Sequence, residues 1–425
     1  MNLFALSLLL TLGQPVKEAS TDIWPQWRGN TNDSVAHGQQ LPIKWSKTEN
    51  VAWKTPLPGW GTSTPAIWRE AVFVTTQVND KQLLLLRIDS RTSKIEWQRE
   101  VGTGEPRRKG LVGENRYHDE HNMASPSPIT DGKHVWAHFG NGELACYTFA
   151  GDKVWQDNLS KKHGFYSIWW GHANSPILHG DLLISVCMQD PKGDGKSYVV
   201  AQDKLTGKQV WHAERTTGAK GEPADSYTTP FIFHNNGQPE LVVFGGNVLD
   251  AYEPATGKRL WQCKPFTGNR VISGPTLVGD TVYAVQGMKG PLFAIKAGGK
   301  DDTTKSNVLW KYTGATPDAA CPVFVNGLVF LANNQGTAIC VDAKTGTEVW
   351  KERLGDAFRA TPLVANGNVY FFSKEGKAII VRADRKLDVV SRVDIDEDIM
   401  ASPAAASNSL FIRTKNHLWR IGTAK

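Results

Sequence analysis

The chain has few cysteines, no long apolar run and no extended helical period, and each shortage excludes a class of protein. Its 425 residues include five cysteines, an odd number, mostly within apolar strand-like segments. This usage favours buried free thiols over a disulfide framework. The apolar run from Leu3 to Leu12 is too short to span a bilayer, so we expect no transmembrane segment. No stretch after residue 20 has a helical period, which argues against a helical fold.

The chain also carries little net charge. The formal net charge is only +6 over the whole chain, and the single short basic run, Arg107 to Lys109, lies in a long loop. A nucleic-acid-binding domain would concentrate lysine and arginine on one face. We therefore expect no nucleic-acid partner.

The N-terminal segment resembles a secretory signal peptide. The end of the apolar run, Thr11-Leu12-Gly13, offers small residues for cleavage, although no basic residue precedes Lys17. No cysteine is available nearby for lipid attachment, since the first is Cys146. We predict a leader over 1–20, an arm over 21–50 that packs on the outside of a blade, and one domain over 51–425. The expected product is an exported monomer, periplasmic or secreted.

A short phrase recurs about every 48 residues, a period typical of stacked or radial repeats. Each copy has a small residue before a proline, an apolar run, a Gly turn, a second strand and then Thr-Gly-Lys before a tryptophan. The proline anchors are Pro65, Pro128, Pro176, Pro230, Pro275, Pro322, Pro362 and Pro403. The tryptophan anchors are Trp53, Trp97, Trp155, Trp211, Trp261, Trp310 and Trp350. The eight prolines predict eight units.

Each unit is predicted to be a small antiparallel sheet. In the seventh, short β-branched and aromatic runs are separated by Asn-Gly at 366–367 and Glu-Gly at 375–376, which is a hairpin signature. Four-stranded units repeated eight times predict an all-β, eight-bladed β-propeller. The last unit lacks its fourth strand, and the segment from Val51 to Pro56 can supply it. We therefore predict that the N-terminal strand closes the ring within the last blade, which removes an open sheet edge.

The phrase around Asp342 and Trp350 resembles the PQQ-like (pyrroloquinoline quinone) repeat, and matching phrases occur at 89–97, 203–211 and 253–261. The resemblance covers about residues 45–425. In that family the repeat tryptophans dock neighbouring blades, so a structural role is implied for Trp97, Trp155, Trp211, Trp261, Trp310 and Trp350.

The resemblance allows three functions. One branch is similar to the outer-membrane β-barrel assembly factor B, which implies a non-catalytic scaffold that binds envelope or secreted proteins; we favour this branch. A second branch contains quinoprotein dehydrogenases of alcohols or aldose sugars, which hold PQQ above Ca²⁺ beside two adjacent cysteines. This chain has no adjacent cysteine pair, so we expect no cofactor and no catalytic residue. The third alternative is a propeller that binds a sugar or another small ligand.

Two long insertions, 102–123 and 160–172, depart most from the repeat, and both come just before a proline anchor. Because the innermost strand of a propeller blade begins there, residues before the anchors should meet around one mouth of the central funnel. Such a rim would suit a polar ligand or a peptide end. The predicted rim residues are His118, Asp119, His121, Asn122, Trp169, Trp170, His172, Asn174, Tyr227, Arg270, Asp318, Arg359 and Asp398.

Histidines in these insertions raise the question of a metal. Imidazole and carboxylate side chains bind Zn²⁺ and other transition metals, which makes His118, His121 and His172, with Asp119, weak candidate ligands. A hydrogen-bonded polar rim is the favoured interpretation, and we expect no stoichiometric metal.

Overall fold

The computed structural model describes residues 20–79, 81–104, 117, 119–189 and 195–422. The predicted leader up to residue 19, the basic run 107–109 and His118 lie outside the described residues. The described residues form eight antiparallel sheets arranged as the blades of a β-propeller, which confirms the predicted fold.

Each blade has four main strands, which follow one another from the channel outward. Blades 1 and 2 contain Ala66–Trp68, Ala71–Val78, Gln82–Asp89 and Ile95–Gly102, then Ile129–Thr130, His134–His138, Glu143–Thr148 and Lys153–Asn158. Blades 3 and 4 contain Ile177–His179, Leu182–Cys187, Tyr198–Asp203 and Gln209–Glu214, then Phe231–Asn235, Gln238–Gly245, Val248–Tyr252 and Arg259–Cys263. Blades 5 and 6 contain Thr276–Val278, Thr281–Val285, Leu292–Lys296 and Val308–Tyr312, then Val323–Val325, Leu328–Ala332, Thr337–Asp342 and Glu348–Arg353. Blades 7 and 8 contain Leu363–Ala365, Asn368–Phe372, Lys377–Arg382 and Val389–Asp394, then Ala404–Ala406, Ser409–Arg413, His417–Ile421 and Val51–Pro56.

A few short elements complete the described chain. Strand Ile23–Trp24 adds to the inner edge of blade 1, and Asp301–Asp302 adds to the outer edge of blade 4. The helices are short: Leu159–His163, Thr304–Asn307 and the 3₁₀ turn Glu222–Ala224. Apolar side chains of adjacent blades meet between the sheets, as Val186 of blade 3 and Leu241 of blade 4 do. All five cysteines are buried and unpaired.

The ring closes as predicted. Strand Val51–Pro56 pairs antiparallel with His417–Ile421, with Val51 opposite Ile421 and Pro56 opposite His417. The last blade is therefore built from both ends of the propeller. This pairing satisfies the backbone groups of an edge that would otherwise be open.

The repeat phrase joins neighbouring blades through its tryptophan. The indole N–H of most repeat tryptophans donates to a backbone carbonyl at the turn of the following blade. The pairs are Trp53–Ser90, Trp97–Phe149, Trp155–Lys204, Trp211–Pro254, Trp310–Ala343 and Trp350–Asp384. Trp261 differs, since it donates to the Glu240 carboxylate within its own blade at 2.6 Å. The turn glycine lies directly against the ring: a Cβ on Gly257 would come within 2.5 Å of Trp211.

The N-terminal arm does not pack on the outside of a blade, so that prediction is wrong. Instead the arm crosses the central channel along the inner strands. The buried Arg28 guanidinium donates to the carbonyls of Pro275 (2.8 Å) and Pro322 (3.0 Å), and the Ala36 N–H donates to the Val364 carbonyl at 2.8 Å. Inner-strand edges present backbone carbonyls that need donors, and the arm supplies them.

Candidate functional site

A belt of mostly hydroxyl side chains, which we name the hydroxyl belt, surrounds the channel at the residues that precede the proline anchors; Cys321 contributes a thiol and Gly274 no side chain. In most blades the backbone N–H of this residue donates to the side chain of its counterpart in the next blade. The links are Thr64 to Ser127, Ser127 to Ser175, Ser175 to Thr229, Gly274 to Cys321, Cys321 to Thr361 and Thr361 to Ser402. The link from Thr229 to the next blade is missing, because Gly274 has no side chain to accept a hydrogen bond from the Thr229 N–H. A Cβ there would lie 2.9 Å from the Trp27 ring, so the gap makes room for the arm.

A cavity of about 210 Å³ lies above this belt. Trp27 of the arm forms its floor, because it contacts Gly274 at the level of the belt. Residues before the proline anchors of all eight blades form its wall. The lining includes Thr62, Glu120, His121, Ser125, Ser127, Trp170, Ala173, Ser175, Tyr227, Thr229, Arg270, Ile272, Asp318, Ala319, Arg359, Thr361, Met400 and Ser402.

One side of the cavity carries a chain of alternating charges, which we name the charged arc. Each member contacts the next through a side-chain oxygen and nitrogen. In order these are Lys374–Glu120 (2.7 Å), Glu120–Arg359 (2.7 Å), Arg359–Asp318 (3.4 Å), Asp318–Arg270 (3.4 Å) and Arg270–Glu222 (2.6 Å). Three cationic and three anionic side chains alternate, so the arc carries no net charge.

Asp318 is the least satisfied member of the charged arc. Its Oδ2 lies 3.4 Å from a guanidinium nitrogen of Arg270, from one of Arg359 and from the Asn334 amide nitrogen. Charge-assisted hydrogen bonds are usually 2.7–2.9 Å long, so these contacts are loose. Its Oδ1 has no hydrogen-bond partner among the residues that the structure describes. Asp318 can therefore accept further hydrogen bonds.

Beside Arg270, at one end of the charged arc, the cavity wall is aromatic. The Trp170 ring centre lies 5.8 Å from the Arg270 guanidinium carbon, and the Trp170 backbone N–H donates to the Tyr227 hydroxyl at 3.2 Å. Tyr227 in turn donates to Asp225 at 3.2 Å. Burial raises the pKa of Tyr227 well above its usual range, so the hydroxyl stays protonated and keeps donating. Trp169, whose ring centre lies 6.1 Å from that of the cavity-lining Trp170, is 44 % exposed and so lies beside the cavity mouth.

The structure brings about half of the predicted rim residues to this cavity. His121, Trp170, Tyr227, Arg270, Asp318 and Arg359 line it. Asp119 and Asp398 line an adjoining pocket of about 130 Å³, which shares Thr62, Glu120 and Met400 with the main cavity. His118 lies outside the described residues.

Three predicted rim residues are buried in supporting positions instead. His172 is fully buried and packs on His138 and Tyr166, with ring centres 4.6 Å away in each case. Asn174 donates to the Thr228 carbonyl at 2.6 Å, and Asn122 donates to the Trp60 carbonyl at 2.9 Å. The repeat phase predicts the end of the strand near which a residue lies. It does not predict the side toward which its side chain points.

The candidate metal ligands that the structure describes do not form a metal site. His121 Nδ1 lies 3.1 Å from the Ser125 hydroxyl, while His172 is buried away from the cavity. Across the described ranges, no group of three or more His, Cys, Asp or Glu side chains is arranged to hold a metal ion.

The cavity is also a poor match to Ca²⁺ and a quinone. Ca²⁺ takes six to eight oxygen ligands, with carboxylates prominent among them. The carboxylates lining this cavity, Glu120 and Asp318, already contact Lys374, Arg359 and Arg270. A divalent cation placed between them would be repelled by these charges. The donor set therefore does not fit a calcium-bound quinone.

Several residues of the site could not be identified from the sequence. Glu222 precedes the Pro230 anchor and Lys374 follows the Pro362 anchor, but neither was among the predicted rim residues, and Trp27 reaches the cavity from the arm. The hydroxyl belt was visible as the small residue before each proline, but its bonding role was not predicted. Glu120, which contacts both Arg359 and Lys374, lies within the first insertion but was not among the predicted rim residues, unlike its neighbours His118 and His121.

Fold and cavity together define a closed eight-bladed propeller with a central cavity lined by charged and aromatic side chains. Over residues 34–189, 171–352 and 300–397 the chain matches the family model described as outer membrane protein assembly factor BamB. These matches cover most of the chain, which therefore belongs to that family of PQQ-like repeat propellers.

Solved structures share this fold at low sequence identity. BamB from Moraxella catarrhalis superposes with a TM-score of 0.62 and 12% identity, covering 87% of this chain and 99% of that one. Quinohemoprotein alcohol dehydrogenase from Comamonas testosteroni gives 0.67 and 12%, covering 96% and 82%. At such identity the likeness shows the fold alone.

A curated relative matches a smaller part of the chain. Tetrathionate hydrolase from Acidithiobacillus ferrooxidans is 28% identical over 158 residues, which is 31% of this chain. The match spans about a third (32%) of that relative's length. Among the described residues, no helix is long and apolar enough to cross a membrane.

Proposed function

We propose that this protein is an exported, non-catalytic binding propeller of the cell envelope, which holds a polar group of a partner in its central cavity. The observation that carries the proposal is the charged arc. Its acidic groups all contact cations, so they serve as fixed hydrogen-bonding groups and not as a base or metal ligands. Aromatic and arginine side chains around such a pocket are favoured in recognition surfaces.

Two parts of this proposal, export from the cytoplasm and binding of a protein partner, rest on further observations. The leader-like sequence over 1–20 supports export. Membership of a family described as an outer membrane protein assembly factor supports a partner in the envelope. The exposed Trp169 beside the cavity mouth offers apolar area for a larger partner than the cavity itself can hold.

The test is capture of native envelope proteins by the purified chain, with the bound proteins identified by mass spectrometry. The variant Trp170→Ala combined with Arg359→Ala should lose the specific partner, while its melting temperature stays within about 2–4 °C of the parent. Leu309→Ser, on the outer strand of blade 5, is the control and should capture normally. Unchanged capture by the double variant would contradict the proposal.

A PQQ-dependent dehydrogenase is the alternative suggested by the shared fold. After incubation with PQQ and Ca²⁺, such an enzyme would gain the quinone absorbance and reduce a dye with alcohols or aldose sugars. We expect neither change, because the donor set of the cavity suits cations poorly. Dye reduction that disappears in Asp318→Ala would establish the alternative.

A further inference from the structure

The charge balance of the cavity restricts the charge of its ligand. Among the described residues, each cation of the charged arc contacts a carboxylate, so the arc leaves no unpaired charge for a ligand to neutralise. Moving a charged group from water into this pocket would leave it without a compensating partner. A neutral ligand avoids that penalty.

The hydrogen-bonding groups require a ligand that both donates and accepts. The Asp318 carboxylate has few hydrogen-bond donors around it. Its Oδ2 has only contacts of 3.4 Å, and its Oδ1 has no donor among the described residues. The flanking guanidinium groups of Arg270 and Arg359 can only donate. A hydroxyl group does both. Two neighbouring hydroxyls on one ring would match a carboxylate and a guanidinium side by side.

The remaining surfaces suit a compact ring with apolar C–H faces. Trp170 and Tyr227 form one wall and Trp27 forms the floor. Hydroxyls of Ser127, Ser175 and other belt residues lie between them. Aromatic surfaces combined with a few placed polar groups are the usual composition of a small-molecule pocket.

The floor restricts the ligand to the end of a chain or a free molecule. Trp27 lies at the level of the belt, and Arg28 binds the carbonyls of Pro275 and Pro322 beside it. An extended segment cannot pass through this end of the channel. A peptide end carries a charge, whereas the terminal ring of a neutral glycan carries none.

We infer that the cavity binds a neutral sugar ring, either free or at the end of a glycan. This inference rests on the proposed function, since it assigns a ligand class to the same cavity. Asp318 and the two arginines hold adjacent hydroxyls of the ring, while Trp170 and Tyr227 cover its C–H face.

The test is saturation-transfer NMR and titration calorimetry with a panel of defined probes. The panel contains methyl glucoside, methyl galactoside, methyl N-acetylglucosaminide, glucuronate and an acetylated tripeptide amide. We expect at least one methyl glycoside to bind, with affinity reduced at least about tenfold by Trp170→Ala and by Asp318→Asn. Asp181→Asn, the same substitution at an exposed turn, should bind like the parent. Thermal unfolding of each variant checks that it is folded.

Asp318→Asn provides a second readout that a structural role would not produce. It removes the one carboxylate between Arg270 and Arg359, so the cavity gains net positive charge. We expect the variant to bind glucuronate more tightly than the parent does while its affinity for the methyl glycoside falls.

Three outcomes would overturn the inference: preferential binding of glucuronate by the parent, preferential binding of the peptide, or binding of none of the probes. The proposed function is judged separately. If the parent captures an envelope partner through Trp170 and Arg359 yet binds no glycoside, only the sugar inference fails. If capture also survives the double substitution, the proposed function fails as well.

Discussion

At the scale of single residues, the repeat phrase pairs a tryptophan with a glycine in the following blade. Gly257 has a φ of +74°, and its Cα lies against the Trp211 ring, which is 8 % exposed. Gly207 has the same relation to Trp155, and Gly346 to Trp310. The glycine is thus needed twice, for the left-handed turn and for the close approach of the indole.

Comparison of two glycines should separate these requirements. Gly257→Ala and Gly237→Ala both place a side chain at positive φ, but a Cβ on Gly237 meets nothing within 4 Å. We expect Gly257→Ala to lower the free energy of unfolding by about 1–3 kcal/mol more than Gly237→Ala, because it overpacks the blade contact. Urea unfolding of both variants measures the difference. Equal losses would mean that the indole contact is not tight.

Buried histidines should make the fold sensitive to acid. Burial lowers the pKa of His138 to about 3 and holds that of His172 well below its usual value. Below pH about 6.5 these two histidines become protonated in the unfolded chain but stay neutral in the folded protein. The unfolded state therefore binds more protons, and the free energy of unfolding falls as the pH drops toward 3. Each histidine contributes at most about 1.4 kcal/mol per pH unit.

The matched variant is His172→Asn. Its free energy of unfolding should fall less steeply between pH 6.5 and 5 than that of the parent, whatever its stability at pH 7.5. Urea unfolding at a series of pH values checks this. Parallel slopes for parent and variant would show that His172 is protonated in the folded state.

At the scale of elements, the blades and their closure were predictable because both follow from local pattern. The small residue before each proline marks the start of an inner strand, and the strand missing after Ile421 is supplied by Val51–Pro56. The course of the arm was not predictable. Arg28 donates to the backbone carbonyls of Pro275 and Pro322. Every residue has a backbone carbonyl, so the sequence does not show which carbonyls the arm will bind.

The site was predictable to a smaller extent for a related reason. The phase of the repeat predicts that Arg270, Asp318 and Arg359 lie near one mouth of the channel, and all three line the cavity. It also suggested His172, which precedes the Pro176 anchor but is fully buried against His138 and Tyr166. The position of a residue within the repeat determines its height along the channel axis. The direction of a side chain depends on packing between blades, which a single sequence does not show.

Ring closure can be tested by deletion. Removing residues 1–57 takes away the outer strand of the last blade, and the exposed edge of His417–Ile421 should promote aggregation or abolish cooperative unfolding. Removing residues 1–20 leaves that strand in place and should be harmless. Size-exclusion chromatography and thermal unfolding report both outcomes. A monomeric product of the longer deletion, with the parent's stability, would contradict the pairing.

At the scale of the whole molecule, the hydroxyl belt, the arm and the charged arc act on one cavity. The belt ties neighbouring blades together around the channel, Trp27 closes one end of the cavity, and residues of the charged arc line its wall together with Trp170. The blades supply a rigid wall, because each is packed between two neighbours. A partner is therefore expected to bind at the cavity mouth and not at the outer strands of the blades.

Site-specific photocrosslinking in the native envelope tests this central claim most directly. A photoreactive residue replaces Trp169, 44 % exposed at the cavity mouth, or Leu309, 52 % exposed on the outer strand of blade 5. We predict discrete crosslinked products from position 169 that disappear when Arg359→Ala is added, and none from position 309. Products from position 309 alone, unaffected by Arg359→Ala, would contradict the account.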